Sequence, residues 1–157
     1  MTAPRPILLA EDNPRDVELI LAAMAEHNLA NEIVVCRDGV EALDYLYRRR
    51  GFSARRQGNP AVVLLDLKMP KVDGLEVLRT IKADSGLKPI PVVMLTSSRE
   101  ERDLVQSYAL GANAYVVKPV EFHSYFNALK ALGIFWGGVN EPPPGLAKAA
   151  TNGRSAE

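Results

Sequence analysis

The sequence has little of several features that mark particular classes of protein. Its 157 residues include one cysteine, Cys36, so an internal disulfide is excluded and a reducing compartment is expected. Lysine plus arginine and aspartate plus glutamate number 19 each, so no overall charge draws the chain to nucleic acid or to an anionic membrane. No apolar run approaches the ~20 residues that span a bilayer, and the N-terminus lacks the apolar stretch of a signal peptide. We therefore expect a cytoplasmic protein that binds neither nucleic acid nor membrane.

Five short apolar runs recur along the chain, and they are continuous rather than alternating. Such runs are typical of strands that are covered on both faces in a parallel sheet. They span residues 7–10, 33–36, 61–65, 92–95 and 115–117. Segments with helical periodicity follow each run, the last at about 121–136. Strand alternating with helix five times predicts a doubly wound α/β domain.

Polar residues mark the expected helix starts. Asn13 precedes a proline and is predicted to be an N-cap. Asp38 with Glu41, and Ser98 with Glu101, have the spacing of capping boxes. The fourth helix is expected to follow the second of these pairs, with apolar residues at helical spacing in its middle.

The chain length suits one domain with a single core. We assign residues 1–139 to this domain and 140–157, rich in proline, alanine and polar residues, to a flexible tail that forms no output domain. The arginine-rich segment 48–60 is expected to be a solvated connection.

Reactive or coordinating side chains follow four of the five predicted strands. They are Glu11 and Asp12 after the first, Asp66 after the third, Thr96 after the fourth and Lys118 after the fifth. In open α/β sheets, ligands bind beyond the carboxyl ends of the strands. Each residue by itself has an ordinary explanation as a cap, a strand residue or a solvated charge. These explanations do not account for the convergence of all of them on one edge of the sheet.

Three carboxylates at such an edge need a cation. At roughly 5 Å and an effective dielectric constant of about 20, each pair repels by about 3 kcal/mol. Oxygen ligands with open positions suit Mg²⁺. With a lysine and a hydroxyl nearby, this donor set predicts phosphoryl transfer with Asp66 as the nucleophile.

The segments "LLAEDNPRD", "VVLLDLKMPKVDGLEVL", "PVVMLTSS" and "GANAYVVKPV" resemble the signature segments of bacterial response regulator receiver domains. The resemblance covers about residues 5 to 130, in the expected order. It implies a flavodoxin-like (βα)5 fold in three α/β/α layers, with a five-stranded parallel sheet of order 2-1-3-4-5. It also implies a signalling protein of a two-component phosphorelay that catalyses its own phosphorylation and dephosphorylation, rather than an enzyme.

The resemblance assigns a role to each acidic residue. Asp66 resembles the aspartate that takes a phosphoryl group from a histidine kinase. Asp12 resembles the direct Mg²⁺ ligand, with Glu11 acting through water, and the backbone carbonyl of Lys68 would complete the protein ligands.

It also assigns roles at the last two strands. Lys118 resembles the lysine that pairs with the phosphoryl oxygens. Thr96 resembles the hydroxyl that moves on phosphorylation, and Tyr115 the aromatic residue that changes rotamer with it.

The second half is similar to the small stand-alone receivers that serve bacterial phytochrome-type histidine kinases. That group dimerises through the fourth helix, fifth strand and fifth helix, aided by a C-terminal extension. The fifth helix carries an apolar band that either seals the sheet or forms a symmetric dimer interface, and we favour the dimer. The interface residues predicted are Phe122, Tyr125, Phe126, Leu132, Phe135 and Trp136.

Three other functions are considered. A phosphatase of the haloacid dehalogenase type also uses a strand-end aspartate with Mg²⁺, but it requires a second carboxylate where Lys68 stands. A nucleotide-binding module would need a glycine-rich phosphate loop, which the sequence lacks. A degenerate receiver that acts only as a scaffold is disfavoured because the acid pair, acceptor, hydroxyl and lysine are all present.

Overall fold

The computed structural model describes residues 5–26, 31–56, 58–97 and 99–118. These residues form five strands, four α-helices and one 3₁₀ turn. The strands are β1 (Ile7–Ala10), β2 (Ile33–Cys36), β3 (Val62–Leu65), β4 (Val92–Thr96) and β5 (Ala114–Val117). The helices are α1 (Pro14–Glu26), α2 (Gly39–Tyr47), α3 (Gly74–Ala83) and α4 (Glu101–Ala109), with the 3₁₀ turn at Arg50–Phe52.

All five strands lie parallel in one sheet with the order β2-β1-β3-β4-β5. The predicted flavodoxin-like topology and strand order are confirmed, and each strand boundary is within one residue of its apolar run. The three inner strands are buried along their whole length, whereas β5 is only half-buried. None of the helices that the structure describes is long and apolar enough to cross a bilayer.

Two apolar cores lie on opposite faces of the sheet, because side chains alternate between faces along each strand. On one face, Ile20 and Met24 of α1 pack on β1, β3 and β4. On the other face, residues of α2 and α3 such as Ala42, Val77 and Ile81 pack on the same strands. Helices therefore cover both faces, as the three-layer prediction requires.

The helix starts confirm two of the three predicted caps. The Asn13 side chain accepts hydrogen bonds from two backbone amides of the first turn of α1. Asp38 accepts from the amide of Glu41 at 2.8 Å. The cap predicted at Ser98 lies outside the described residues and stays a prediction; α4 itself begins at Glu101, with Glu100 before it.

The fourth helix exposes the apolar residues that were expected to define it. Leu104, Val105 and Tyr108 are 38%, 58% and 50% exposed, while Asp103 and Ser107 are buried. α4 therefore presents an apolar surface outward.

The arginine-rich connection after α2 is more ordered than the solvated loop that was expected. Arg55 donates to the carbonyl of Tyr45 at 2.7 Å and stacks over the ring of the same residue at 4.1 Å. Arg49 and Arg50 both donate to one oxygen of buried Asp44 at 2.8 Å. These contacts tie the connection to the end of α2.

Several predictions lie outside the described residues. They are the fifth helix, its six predicted interface residues, and the boundary between the domain and the tail at residues 139 and 140. These stay predictions.

Candidate functional site

Three carboxylates meet where β1 and β3 end. Glu11 and Asp12 follow β1, and Asp66 follows β3, which is the neighbouring strand. The amide of Asp66 donates to the carbonyl of Ala10 at 3.0 Å, so the sheet ladder continues into the site. Carboxylate oxygens of the three acids lie within 4.8 Å of one another. Glu11 and Asp66 are buried and Asp12 is exposed, so the cluster opens to solvent on one side.

Lys118 reaches this cluster from the end of β5. Its Nζ lies 2.7 Å from Oε1 of Glu11 and 3.5 Å from Oδ2 of Asp66. It also lies 2.6 Å from Oδ2 of Asp16, in the first turn of α1. The backbone amide of Lys118 donates to the carbonyl of Thr96 at 2.7 Å, which fixes where its side chain begins.

Burial and mutual charge shift the ionisation of this group. Burial raises the pKa of Glu11 to about 7, a tendency that the Lys118 hydrogen bond opposes and the charge of Asp66 reinforces. Burial by itself lowers the pKa of Lys118, but the hydrogen bonds to Asp16 and Glu11 and the charge of Asp66 outweigh it. The pKa of Lys118 is therefore raised and the ammonium stays charged.

The loop after β3 holds Asp66 in a fixed orientation. Oδ1 of Asp66 accepts from the amide of Leu67 at 2.8 Å, and the carbonyl of Leu67 accepts from the amide of Gly74 at 2.7 Å. The backbone of Gly74 approaches so closely that a Cβ there would lie 2.1 Å from the carbonyl oxygen of Asp66. Only glycine allows α3 to begin this near the reactive strand end.

The remaining predicted site residues lie close to these acids along the chain or in the sheet. Thr96 is buried at the end of β4, next to Val117 of β5. Tyr115 packs on the core that faces α2 and α3 and lies opposite Met94, which points to that same face. Alternation along β4 puts Thr96 on the Met94 face, so Thr96 and Tyr115 share a side of the sheet. Lys68 is exposed in the loop two residues after Asp66.

A groove of about 770 Å³ lies beside the site, between the loop after β3 and α4. It is lined by Leu67, Lys68, Met69, Asp73, Leu75, Arg102, Asp103, Val105 and Gln106. The exposed apolar surface of α4 therefore adjoins the loop that holds Asp66.

The donor set fits a divalent metal. Carboxylate oxygens are the hard ligands that such cations take in proteins, and three of them converge here, with Asp12 on the exposed side. Among the described residues, Glu11, Asp12 and Asp66 would hold the ion, while Lys118 occupies the buried side.

Three comparisons place this site among known proteins. Response regulator Rcp1 of Synechocystis is 36% identical over 133 residues, 85% of this chain and 89% of Rcp1, and its Mn²⁺-bound structure superposes with a TM-score of 0.84. The phosphorylated cyanobacterial phytochrome response regulator RcpA is 40% identical with a TM-score of 0.84, covering 90% of this chain and 99% of RcpA. The bacteriophytochrome response regulator AtBRR is 64% identical with a TM-score of 0.71, covering 88% and 99%.

A parallel sheet of order β2-β1-β3-β4-β5 with three carboxylates at its carboxyl edge defines an α/β protein of the flavodoxin-like class. Residues 7–130 match the response regulator receiver domain, and the chain belongs to that family. It is a response regulator of two-component phosphorelay signalling, a relative of the phytochrome response regulators. The family assignment gives no support to the hydrolase alternative.

Asp16 is a residue of the site that the sequence did not indicate. An acidic residue in the first turn of a helix is favoured by the helix dipole, so its position suggested nothing beyond that. A contact between residues 102 positions apart could not be read from spacing. The only signal was that α1 begins immediately after the acid pair, which brings its first turn to the same sheet edge.

Proposed function

We propose that Asp66 accepts a phosphoryl group from a sensor histidine kinase in a Mg²⁺-dependent reaction. The observation that supports this most directly is the position of the Asp66 carboxylate. It ends a buried strand within 4.8 Å of oxygens of Glu11 and Asp12 and 3.5 Å from the Lys118 ammonium.

The chemistry follows from these neighbours. A carboxylate oxygen of Asp66 forms a bond to phosphorus while the bond between phosphorus and the donor's leaving nitrogen breaks, and that nitrogen departs with the bonding electrons. The Lys118 ammonium donates to the phosphoryl oxygens and offsets their charge. When bound, Mg²⁺ would lessen the repulsion between the carboxylates and the incoming phosphoryl group. Glu11 and Asp12 hold that ion, together with Asp66 and the backbone carbonyl of Lys68.

The effect of phosphorylation is transmitted through residues of β4 and β5. Thr96 responds to the phosphoryl group, and Tyr115 on the same side of the sheet changes rotamer with it. The apolar surface formed by Leu104, Val105 and Tyr108 of α4 lies next to β5. This surface is the described part of a homodimer interface that continues onto the predicted fifth helix and C-terminal extension.

The partner kinase is of the bacterial phytochrome type. This part of the proposal is supported by the likeness to RcpA and AtBRR, which are named as phytochrome and bacteriophytochrome response regulators.

The first experiment is incubation with acetyl phosphate and Mg²⁺, followed by intact mass measurement. The wild type should gain one phosphoryl group, and Asp66→Asn should gain none. Glu18→Gln serves as a control because Glu18 is an exposed acid on α1, away from the cluster. A phosphoryl adduct on Asp66→Asn, or labelling that persists after Mg²⁺ is chelated, would overturn the proposal.

The dimer is tested separately by sedimentation of the wild type and Val105→Asp, with and without phosphorylation. The wild type should dimerise at micromolar concentration, and the variant should shift towards monomer. A wild type that stays monomeric under both conditions would contradict this part of the proposal without affecting the assignment of Asp66.

A further inference from the structure

Among the residues that the structure describes, the ammonium of Lys118 has one carboxylate partner outside the acidic cluster of Glu11, Asp12 and Asp66. Of its three neighbours, Glu11 and Asp66 belong to the acidic group that fits a divalent ion, whereas Asp16 does not. The contact to Asp16, at 2.6 Å, is the shortest of the three. The Lys118 side chain is 9% exposed and that of Asp16 is 19% exposed, so the pair is largely shielded from water.

The three N–H donors of the Lys118 ammonium do not have equivalent partners. A lysine has three N–H donors. Two of them are taken at hydrogen-bond distance by Asp16 and Glu11, while Asp66 lies further away at 3.5 Å. The third donor is therefore the one available for a group attached to Asp66.

Asp16 is held by the first turn of α1, which is joined to the acidic cluster where the amide of Asn13 donates to Oε2 of Glu11 at 3.1 Å. The amide of Asp16 donates to the Asn13 side chain, which caps α1, and the adjacent Val17 is buried in the sheet face. With a divalent ion held by Glu11, Asp12 and Asp66, Asp16 would be the carboxylate left to Lys118 alone.

We propose that Asp16 is a positioning residue that anchors the Lys118 ammonium so that its free donor points at the phosphoryl group on Asp66. Asp16 acts only through Lys118. Without Asp16, the Lys118 ammonium turns fully to Glu11 and Asp66. There it competes with the metal ion, and it donates less to the phosphoryl oxygens. This inference rests on the proposed phosphorylation of Asp66.

The alternative is that Asp16 only stabilises the fold and does not position Lys118. The Asp16–Lys118 contact also joins α1 to the end of β5, so its loss lowers stability whether or not it positions the lysine. The test therefore needs measurements that a loss of folding stability alone would not change.

The first readout is the rate of phosphorylation by acetyl phosphate at saturating Mg²⁺, for Asp16→Ala, Asp16→Asn and the control Glu18→Ala. Asp16→Ala should slow labelling about tenfold, which corresponds to about 1.4 kcal/mol in the activation barrier. Asp16→Asn keeps an acceptor and should recover part of the rate. Glu18→Ala removes the same charge from the same helix and should match the wild type.

A double-mutant cycle with Lys118→Ala shows whether Asp16 acts through the lysine. In the Lys118→Ala background, removing Asp16 should change the residual rate less than twofold. An equal fall in both backgrounds, or a wild-type rate for Asp16→Ala, would overturn the proposal.

The second readout does not require phosphorylation. The Lys118 ammonium, assigned by its loss in Lys118→Ala, should give a slowly exchanging ¹H–¹⁵N signal in the Mg²⁺-loaded wild type and in Glu18→Ala. That signal should change its chemical shift in Asp16→Ala, because the ammonium loses one carboxylate partner and turns to the other two, measured where urea unfolding shows the variant to be folded. If the wild type fails to label but the signal depends on Asp16, the proposed function fails and the anchoring stands. A signal unchanged in Asp16→Ala would overturn the anchoring itself.

Discussion

Replacing Gly74 by alanine should displace the backbone that carries Asp66. The new Cβ would lie 2.1 Å from the carbonyl oxygen of Asp66 and 2.8 Å from Cα of Leu67, against an ordinary contact of at least 3.4 Å. Both obstacles are backbone atoms, so no side-chain rotation relieves them. α3 or the end of β3 must move by about 1 Å.

The expected cost follows from two opposing effects. Overpacking a well-filled site costs about 1–3 kcal/mol, and a clash between backbone segments belongs at the upper end of that range. Alanine returns at most about 1 kcal/mol through its higher helix propensity. We expect a net loss of about 2 kcal/mol, or a fall of about 4–8 °C in Tm for a domain of this size.

Urea unfolding followed by circular dichroism measures the stability, and acetyl phosphate labelling reports on Asp66. Gly51→Ala is the matched control, since a Cβ there meets nothing within 4 Å, and its stability should stay within about 0.5 kcal/mol of the wild type. A Gly74→Ala variant as stable as Gly51→Ala and labelled at the wild-type rate would refute the view that the close approach is obligatory.

Three further predictions concern the elements around the site. Gly39→Ala should destabilise by about 2 kcal/mol, because its Cβ would meet the Val72 carbonyl oxygen at 1.9 Å; urea unfolding equal to that of the wild type would contradict this. Asp38→Ala should cost about 1 kcal/mol by leaving the amide of Glu41 uncapped, and Asp38→Asn should restore most of it in the same assay. Burial raises the pKa of Cys36 to about 12 from an ordinary value of 9.0, so iodoacetamide at pH 8 should modify it only on unfolding. Since the folded chain holds that proton more tightly, stability should fall as the pH rises above about 9; prompt labelling of the native protein would be inconsistent with this burial.

The fold class could be predicted from the sequence because the apolar runs and the polar residues at helix starts indicated the same alternation of strand and helix. Continuous apolar runs marked the parallel strands, and polar residues marked two of the helix starts correctly. The strand order came from resemblance to the receiver family, since apolar periodicity contains no information on which strands are neighbours. The structure then confirmed it.

The interpretation of α4 failed for a physical reason. The prediction from its apolar spacing assumed that local pattern decides which face of the helix is buried. In the folded chain the helix begins at Glu101 and turns Asp103 inward, so its apolar residues face outward. Tertiary packing overrides local preference where a surface is needed for another purpose.

The residues of the site that follow strand ends could be predicted from the sequence. Glu11, Asp12, Asp66 and Lys118 meet because parallel strands deliver their last residues to one edge. Asp16 and Gly74 were not found, since their importance lies in distances across the sheet edge: one to an ammonium and the other to a carbonyl oxygen.

Lys118 connects the chemistry of the site to the edge of the sheet. Its side chain ends among Glu11, Asp16 and Asp66, while its own amide is hydrogen-bonded to the carbonyl of Thr96. If Asp66 is phosphorylated as proposed, the change in charge that acts on the ammonium also acts on the backbone between β4 and β5. The inner strands are buried throughout, whereas β5, like the opposite edge strand β2, is half-buried, so movement costs less at the edges of the sheet than at its centre. The exposed apolar surface of α4 adjoins the β5 edge, which makes it the described surface on which such a movement would act.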